Sequence, residues 1–269
     1  MKRLALALLT VAQAAHAQLV LEEGQEYHSP QHFAIEVKFG AYSPNIDASP
    51  GLHGHPFSEL FQAQDGTSVG QRPPGRLLTT VEFDWQIWHR FGSLGLAGSV
   101  GFMERTTHSF QYNMAGGGMS PCVVPDCTRS SDETALNVMP FTLEAVYRFD
   151  VLALRYRIPL VPYFKGGVGW YLWWITNGSG SLSSGLQKLP NGDTDNAIGA
   201  TWGLVMHPGL ALLLDILDPA AARVMDSEMG INHSYLFVEM HYAWITGFGS
   251  STKMTLSDLT WNAGLAFEF

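Results

Sequence analysis

Charge is what this chain has little of. Asp, Glu, Lys and Arg make up 14% of its 269 residues, against about 25% in ordinary soluble domains. Lys and Arg number 15 against 24 Asp and Glu, giving a formal net charge of −9, and that balance argues against nucleic-acid binding through phosphate neutralisation. Cysteine is also scarce. Only Cys122 and Cys127 occur, close together among Gly, Ser, Pro and Asp. In an exported protein this spacing reads as one local disulfide pinching a loop; a two-ligand metal site is the poorer reading, because no His or further Cys lies nearby. Long apolar runs are missing too. Past the N-terminus nothing approaches the roughly 18 apolar residues that a membrane helix needs, and Arg155, Arg157 and Lys165 interrupt the next most apolar region. A membrane protein made from this chain has to cross with strands. No phosphate-cradling glycine loop is present either: Gly116 to Gly118 lack the following Lys and helix, and Gly166, Gly167 and Gly169 sit within a strand pattern. No cofactor is therefore expected.

Aromatics are plentiful, at 12%, as suits a surface that faces lipid. Met1 to Ala17 opens with Lys2 and Arg3, runs apolar from Leu4 to Val11, and ends in Ala15, His16 and Ala17. That order of charged start, apolar middle and small-residue site reads as a secretory signal peptide cleaved after Ala17. Loss of Lys2 and Arg3 takes the formal charge to −11, since 1–17 holds no Asp or Glu. Residues 18–31, with Glu22, Glu23 and Glu26, read as a polar periplasmic leader, and 32–269 as one barrel domain. At the other end, Leu259, Trp261, Ala263, Leu265, Phe267 and Phe269 fall on one side of a period-two alternation. A terminal strand with so apolar a face is an aggregation hazard unless the sheet closes on itself.

The same alternation recurs along the chain. Strands are expected at His32–Pro44, Leu77–Phe91, from Leu94 to about Arg105, Thr134–Phe149, from about Leu160 to Thr176, from Asn196 to about Met206, Ile231–Ile245 and Ser257–Phe269. In all but the sixth, whose alternation is poor, one face is apolar and outward, while the other gathers Glu36, Lys38, Glu82, Asp84, Glu144, Arg148, Lys165, Glu239, His241 and Glu268. A charge facing lipid at mid-membrane costs about 2–4 kcal/mol, so the charged face points inward, as an internal salt-bridge network more than an active site. Long connections, Asn45–Arg76, Thr106–Glu133 and Asn177–Asp195, follow odd strands, with a shorter one after the seventh. Even strands end in tight links or in a helix: Asp218 caps, Pro219 opens, Ala220–Met229 forms the body and Gly230 stops it. The fold expected is all-β, a closed antiparallel transmembrane barrel of about eight strands, its interior filled by side chains, with long extracellular loops and one short periplasmic helix.

Two stretches carry a family resemblance. Asn262, Gly264, Phe267 and Phe269 match the terminal signal of outer-membrane β-barrel proteins, and Pro159–Trp170, with its prolines, Tyr163, Lys165 and spaced glycines, resembles the corresponding segment of small barrels, among them an uncharacterised myxobacterial family. The resemblance implies residence in the outer membrane of a Gram-negative bacterium, contact with outer-membrane lipid, and recognition by the barrel assembly machinery. The role expected is non-enzymatic, an envelope structural or surface-interaction protein whose loops meet a ligand outside or whose helix around Arg223 docks a periplasmic protein. The alternative is a narrow pore for small or hydrophobic compounds. Two minor chemical readings complete the set. His53 and His55 could ligate a metal but lack a third ligand nearby, and His233 beside Ser234 resembles the base and nucleophile of barrel-borne lipid A esterases without an identifiable oxyanion site.

Overall fold

A computed structural model describes residues 32–50, 52, 54–61, 70–89, 91–111, 128–156, 158–188 and 194–269. The expected signal peptide and leader, and Cys122, Cys127 and His53, lie outside the described residues. Eight strands close a single antiparallel barrel: β1 (Phe33–Tyr42), β2 (Arg76–His89), β3 (Ser93–Phe110), β4 (Arg129–Arg148), β5 (Leu160–Asn177), β8 (Ile198–Leu213), β9 (His233–Trp244) and β10 (Asp258–Glu268). Between β5 and β8, β6 (Ser184–Lys188) and β7 (Thr194–Asn196) form a separate hairpin. Each barrel strand pairs with its chain neighbours, and β1 with β10 closes the ring in the register Ala34↔Glu268 to Gly40↔Asn262. The seam is completed where Phe33 and Phe269 exchange backbone hydrogen bonds of 2.8 and 3.0 Å. Every barrel strand thus has two partners and no edge is left open.

Which side of each strand faces out follows from its alternation. Outward positions read Phe33, Ile35, Val37 and Phe39 on β1, Val81, Phe83, Trp85 and Ile87 on β2, and Leu259, Trp261, Ala263 and Leu265 on β10, all exposed or half-exposed. Around the ring no outward position carries a charge until Glu104 of β3 and Glu133 of β4, toward the ends of the two longest hairpin arms. Such a continuous apolar exterior is stable against hydrocarbon and not against water. The 10 to 12 residues of β1, β9 and β10 match the span of a tilted crossing strand. β3, β4 and β5, at 18, 20 and 18 residues, extend past it on one side.

On the opposite side the links are compact. β2 turns into β3 within three residues, while α2 (Val151–Tyr156) links β4 to β5 and α3 (Pro219–Met229) links β8 to β9. α3 begins and ends where its caps require: the Asp218 carboxylate accepts from the N–H groups of Ala220 and Ala221, and Gly230 takes the left-handed conformation at φ 70°. On the long-loop side, α1 (Pro56–Phe61) folds back over the barrel mouth.

Three expectations are corrected. The sixth barrel strand, expected to end near Met206, runs to Leu213 through His207, Pro208 and Gly209. Those residues read as a breaker, yet Pro208 points outward and Gly209 gives room to a ring inside. The second long loop is shorter than expected, because β3 and β4 stay paired up to Phe110↔Arg129. The helix expected alone has company among the described residues in α1 and α2, both too short for a periodicity to show.

Candidate functional site

The barrel interior is stacked in three layers. Toward the tight-link end lie Val161, Tyr163, Ala211, Leu213, Tyr235, Phe237 and Ala266, with Ala153 of α2 beneath. The middle is charged. Toward the long-loop end Tyr42, Leu78, Met103, Leu136, Val138, Tyr171, Val205, Ile245 and Leu256 form an apolar layer that Ile46 and Phe57 of the first loop complete from outside.

Seven of the inward charges expected from alternation, Glu36, Lys38, Glu82, Asp84, Arg148, Lys165 and Glu239, join in one salt-bridge network in the middle layer. The Lys165 ammonium donates to Glu36 Oε2 at 2.5 Å and Glu82 Oε1 at 2.6 Å. Lys38 donates to Glu82 Oε2 at 2.6 Å and Glu239 Oε1 at 3.1 Å. Arg148 spans Glu36 Oε1, at 2.7 Å, and Asp84. Two acids lie apart from the cations. Glu144 accepts from Thr142 and meets His207 Nδ1 at 2.7 Å, while Glu268 accepts from Gln86 at 2.8 Å and Tyr235 at 2.9 Å. Each carboxylate and cation of the set is almost completely buried, and buried charge persists only when paired and hydrogen-bonded.

Several members escaped the sequence reading. His207 fell in the segment read as a breaker, and Tyr163, whose hydroxyl donates to Glu239 Oε2 at 3.0 Å, carries no charge to mark it. Asn262, read as part of the terminal signal, is also an interior residue, its amide donating to Glu239 Oε1 at 3.2 Å. A Cβ on Gly264 would stand 2.1 Å from the Val37 carbonyl oxygen, so local packing alone demands glycine there.

The mouth is closed by a built plug. Asp47 accepts from the Phe57 and Ser58 N–H groups at 2.8 and 2.9 Å, capping α1 at its start. At its end Arg129 donates to the Leu60 carbonyl at 2.8 Å. The Arg105 guanidinium lies 5.7 and 5.8 Å from the Phe57 and Phe61 ring centres and donates to the Pro74 carbonyl, so cation–π attraction ties plug to wall. Two small cavities inside the barrel measure about 10 Å³ each, room for about one water molecule apiece.

The pair considered for esterase chemistry is arranged otherwise. Adjacent strand residues point to opposite faces; His233 Nδ1 meets Asp215 Oδ2 at 2.7 Å, and the Ser234 backbone N–H donates to the same carboxylate at 3.1 Å. Asp215 thereby pins the start of β9 beneath α3. The His55 carbonyl accepts from Glu59 N–H at 2.9 Å, within the plug turn.

No protein-family model matches the chain, and no curated protein matches it. Among solved structures, two similar chains are by their names an attachment protein and a surface protein of bacteria. One is Ail, the attachment invasion locus protein of Yersinia pestis, at 10% identity and a TM-score of 0.39, covering 90% of this chain and 100% of that one. The other is Neisserial surface protein A, at 10% identity and 0.40, covering 88% and 97%. The closed strand order and the apolar mid-strand exterior establish the barrel by themselves.

Proposed function

We propose that this chain is a non-enzymatic outer-membrane protein of a Gram-negative bacterium, serving the envelope through contacts made by its extracellular loops. One observation carries this reading: a cylinder with an apolar outside, charged only toward the long-loop ends of β3 and β4, and an inside filled by side chains down to water-sized cavities leaves no substrate room within its wall, while its longest connections gather at one end. On this reading residues 1–17 are a signal peptide, the barrel assembly machinery reads Asn262, Gly264, Phe267 and Phe269, and Cys122 with Cys127 constrains the second loop. The likeness of Pro159–Trp170 to a myxobacterial family supports the same class. The partner expected is a ligand outside the cell, with the surface of α3 left for a periplasmic protein.

Orientation decides it. With both native cysteines replaced by serine, Ser251→Cys in the β9–β10 loop should react with an impermeant maleimide on intact cells. Ser227→Cys on α3 should react only after the outer membrane is opened. The reverse pattern, or both sites labelled in intact cells, would remove the reading.

A further inference from the structure

One buried cluster stands apart from the lysine and arginine salt bridges. His207 of β8 and His241 of β9 stand between the register pairs Met206↔Tyr242 and Gly209↔Glu239, where pairing lapses because Pro208 has no N–H to give. Their rings stack with centroids 4.7 Å apart and 29° between planes. They belong to a row: Glu144 Oε2 to His207 Nδ1 at 2.7 Å, His207 Nε2 to His241 Nδ1 at 2.6 Å, and His241 Nε2 to the Tyr171 hydroxyl at 3.4 Å. Both histidines are buried, and the second small cavity opens on them together with Thr80, Ser99, Asn262 and Lys38.

We propose that the Glu144–His207–His241–Tyr171 row is an internal binding site for a single proton. With both rings neutral, His207 Nδ1–H donates to Glu144, His241 Nδ1–H donates to His207 Nε2, and Tyr171 donates to His241 Nε2. Add one proton at His241 Nε2 and let the Nδ1 proton pass across to His207 Nε2. The positive ring is then His207, beside the Glu144 carboxylate, and His241 donates to the Tyr171 oxygen. No heavy atom has to move, because a tyrosine hydroxyl donates and accepts equally well and an imidazole exchanges the roles of its two nitrogens. A second proton cannot enter the same row. It would leave N–H groups on both sides of a 2.6 Å gap and two like charges on stacked rings.

The surroundings pull in both directions: burial and the Lys38 ammonium oppose a positive ring at His241, while the Glu144 and Glu239 carboxylates attract one to the row. The groups facing the row are Lys38 and Tyr42 on β1, Glu82 on β2, Glu144 on β4, Lys165 and Tyr171 on β5, Glu239 on β9 and Asp258 on β10. Among the described buried side chains, the acids Glu36, Glu82, Asp84, Glu144, Asp150, Glu239, Asp258 and Glu268 outnumber the cations Lys38, Arg105, Arg148 and Lys165. A proton on the row reduces that excess.

The experiment is a nitrogen NMR titration of the full chain, labelled at histidine, folded in detergent micelles and stepped from about pH 9 to about pH 4, around the ordinary imidazole midpoint near 6.5. His207→Gln and His241→Gln assign the two rings. Both sets of signals should move through one shared midpoint with a total uptake of one proton. Separate uptake by each ring, or none by either, overturns the proposal. In a folded Glu144→Gln variant the row's proton affinity should fall at least tenfold, and an unchanged midpoint also overturns it. Should that variant not fold, the proton count on the unaltered chain decides alone.

Discussion

Lys165 shows how tightly the interior is balanced. Its ammonium is fully enclosed and holds Glu36 and Glu82 at hydrogen-bond distance. In Lys165→Met the stem still fills space, but two buried carboxylates lose a cation. Breaking one side of such a network costs about 3–5 kcal/mol, so the urea midpoint of the barrel in micelles should fall correspondingly, and Arg148→Leu should act in the same direction. Gly209 tests the neighbouring layer. A Cβ there would lie 2.3 Å from the Tyr163 ring, so Gly209→Ala should destabilise the barrel, and Gly209→Ala with Tyr163→Leu should recover part of the loss in a double-mutant cycle. Parity along a strand made the charged members legible, since charge on the lipid side is so costly. It could not reveal Tyr163 or His207: a tyrosine suits either face, and His207 precedes a Pro-Gly pair that imitates a turn.

At the scale of elements, the barrel strands and α3 were readable and the plug was not. α3 announces itself through local chemistry, a capping Asp218, Pro219 at the first turn and Gly230 at the stop. β8 misled because a central strand rarely contains proline; here the closed ring tolerates Pro208 by leaving two register positions unpaired with β9. α1 is held by Asp47 of the preceding turn and by Arg105 and Arg129 far along the chain, and so has no signature within its own six residues. The independence of α3 is testable. None of its residues is buried, so Asp218→Ala should loosen the helix by about 1 kcal/mol and leave the barrel's own stability unchanged. Hydrogen exchange would show faster amide exchange confined to residues 220–230.

For the molecule as a whole, two surfaces have to do opposite things, and each can be probed. The packed interior predicts electrical silence: in planar bilayers the purified barrel should show no conductance steps, whereas steady steps would favour the pore reading. The exterior predicts a dependence on depth. Val100 faces out near mid-height, paired with Val81 and Phe141, while Leu77 faces out beside the long-loop end of β2. An arginine at the first site has to sit in hydrocarbon or drag water to it, and at the second it reaches the headgroups. Val100→Arg should therefore cost about 2–4 kcal/mol and Leu77→Arg about 0–1 in liposome refolding. The gradient, more than either value, carries the argument, because a water-facing strand would accept arginine equally at both heights. Equal small effects at the two sites would mean that this apolar skin meets no membrane.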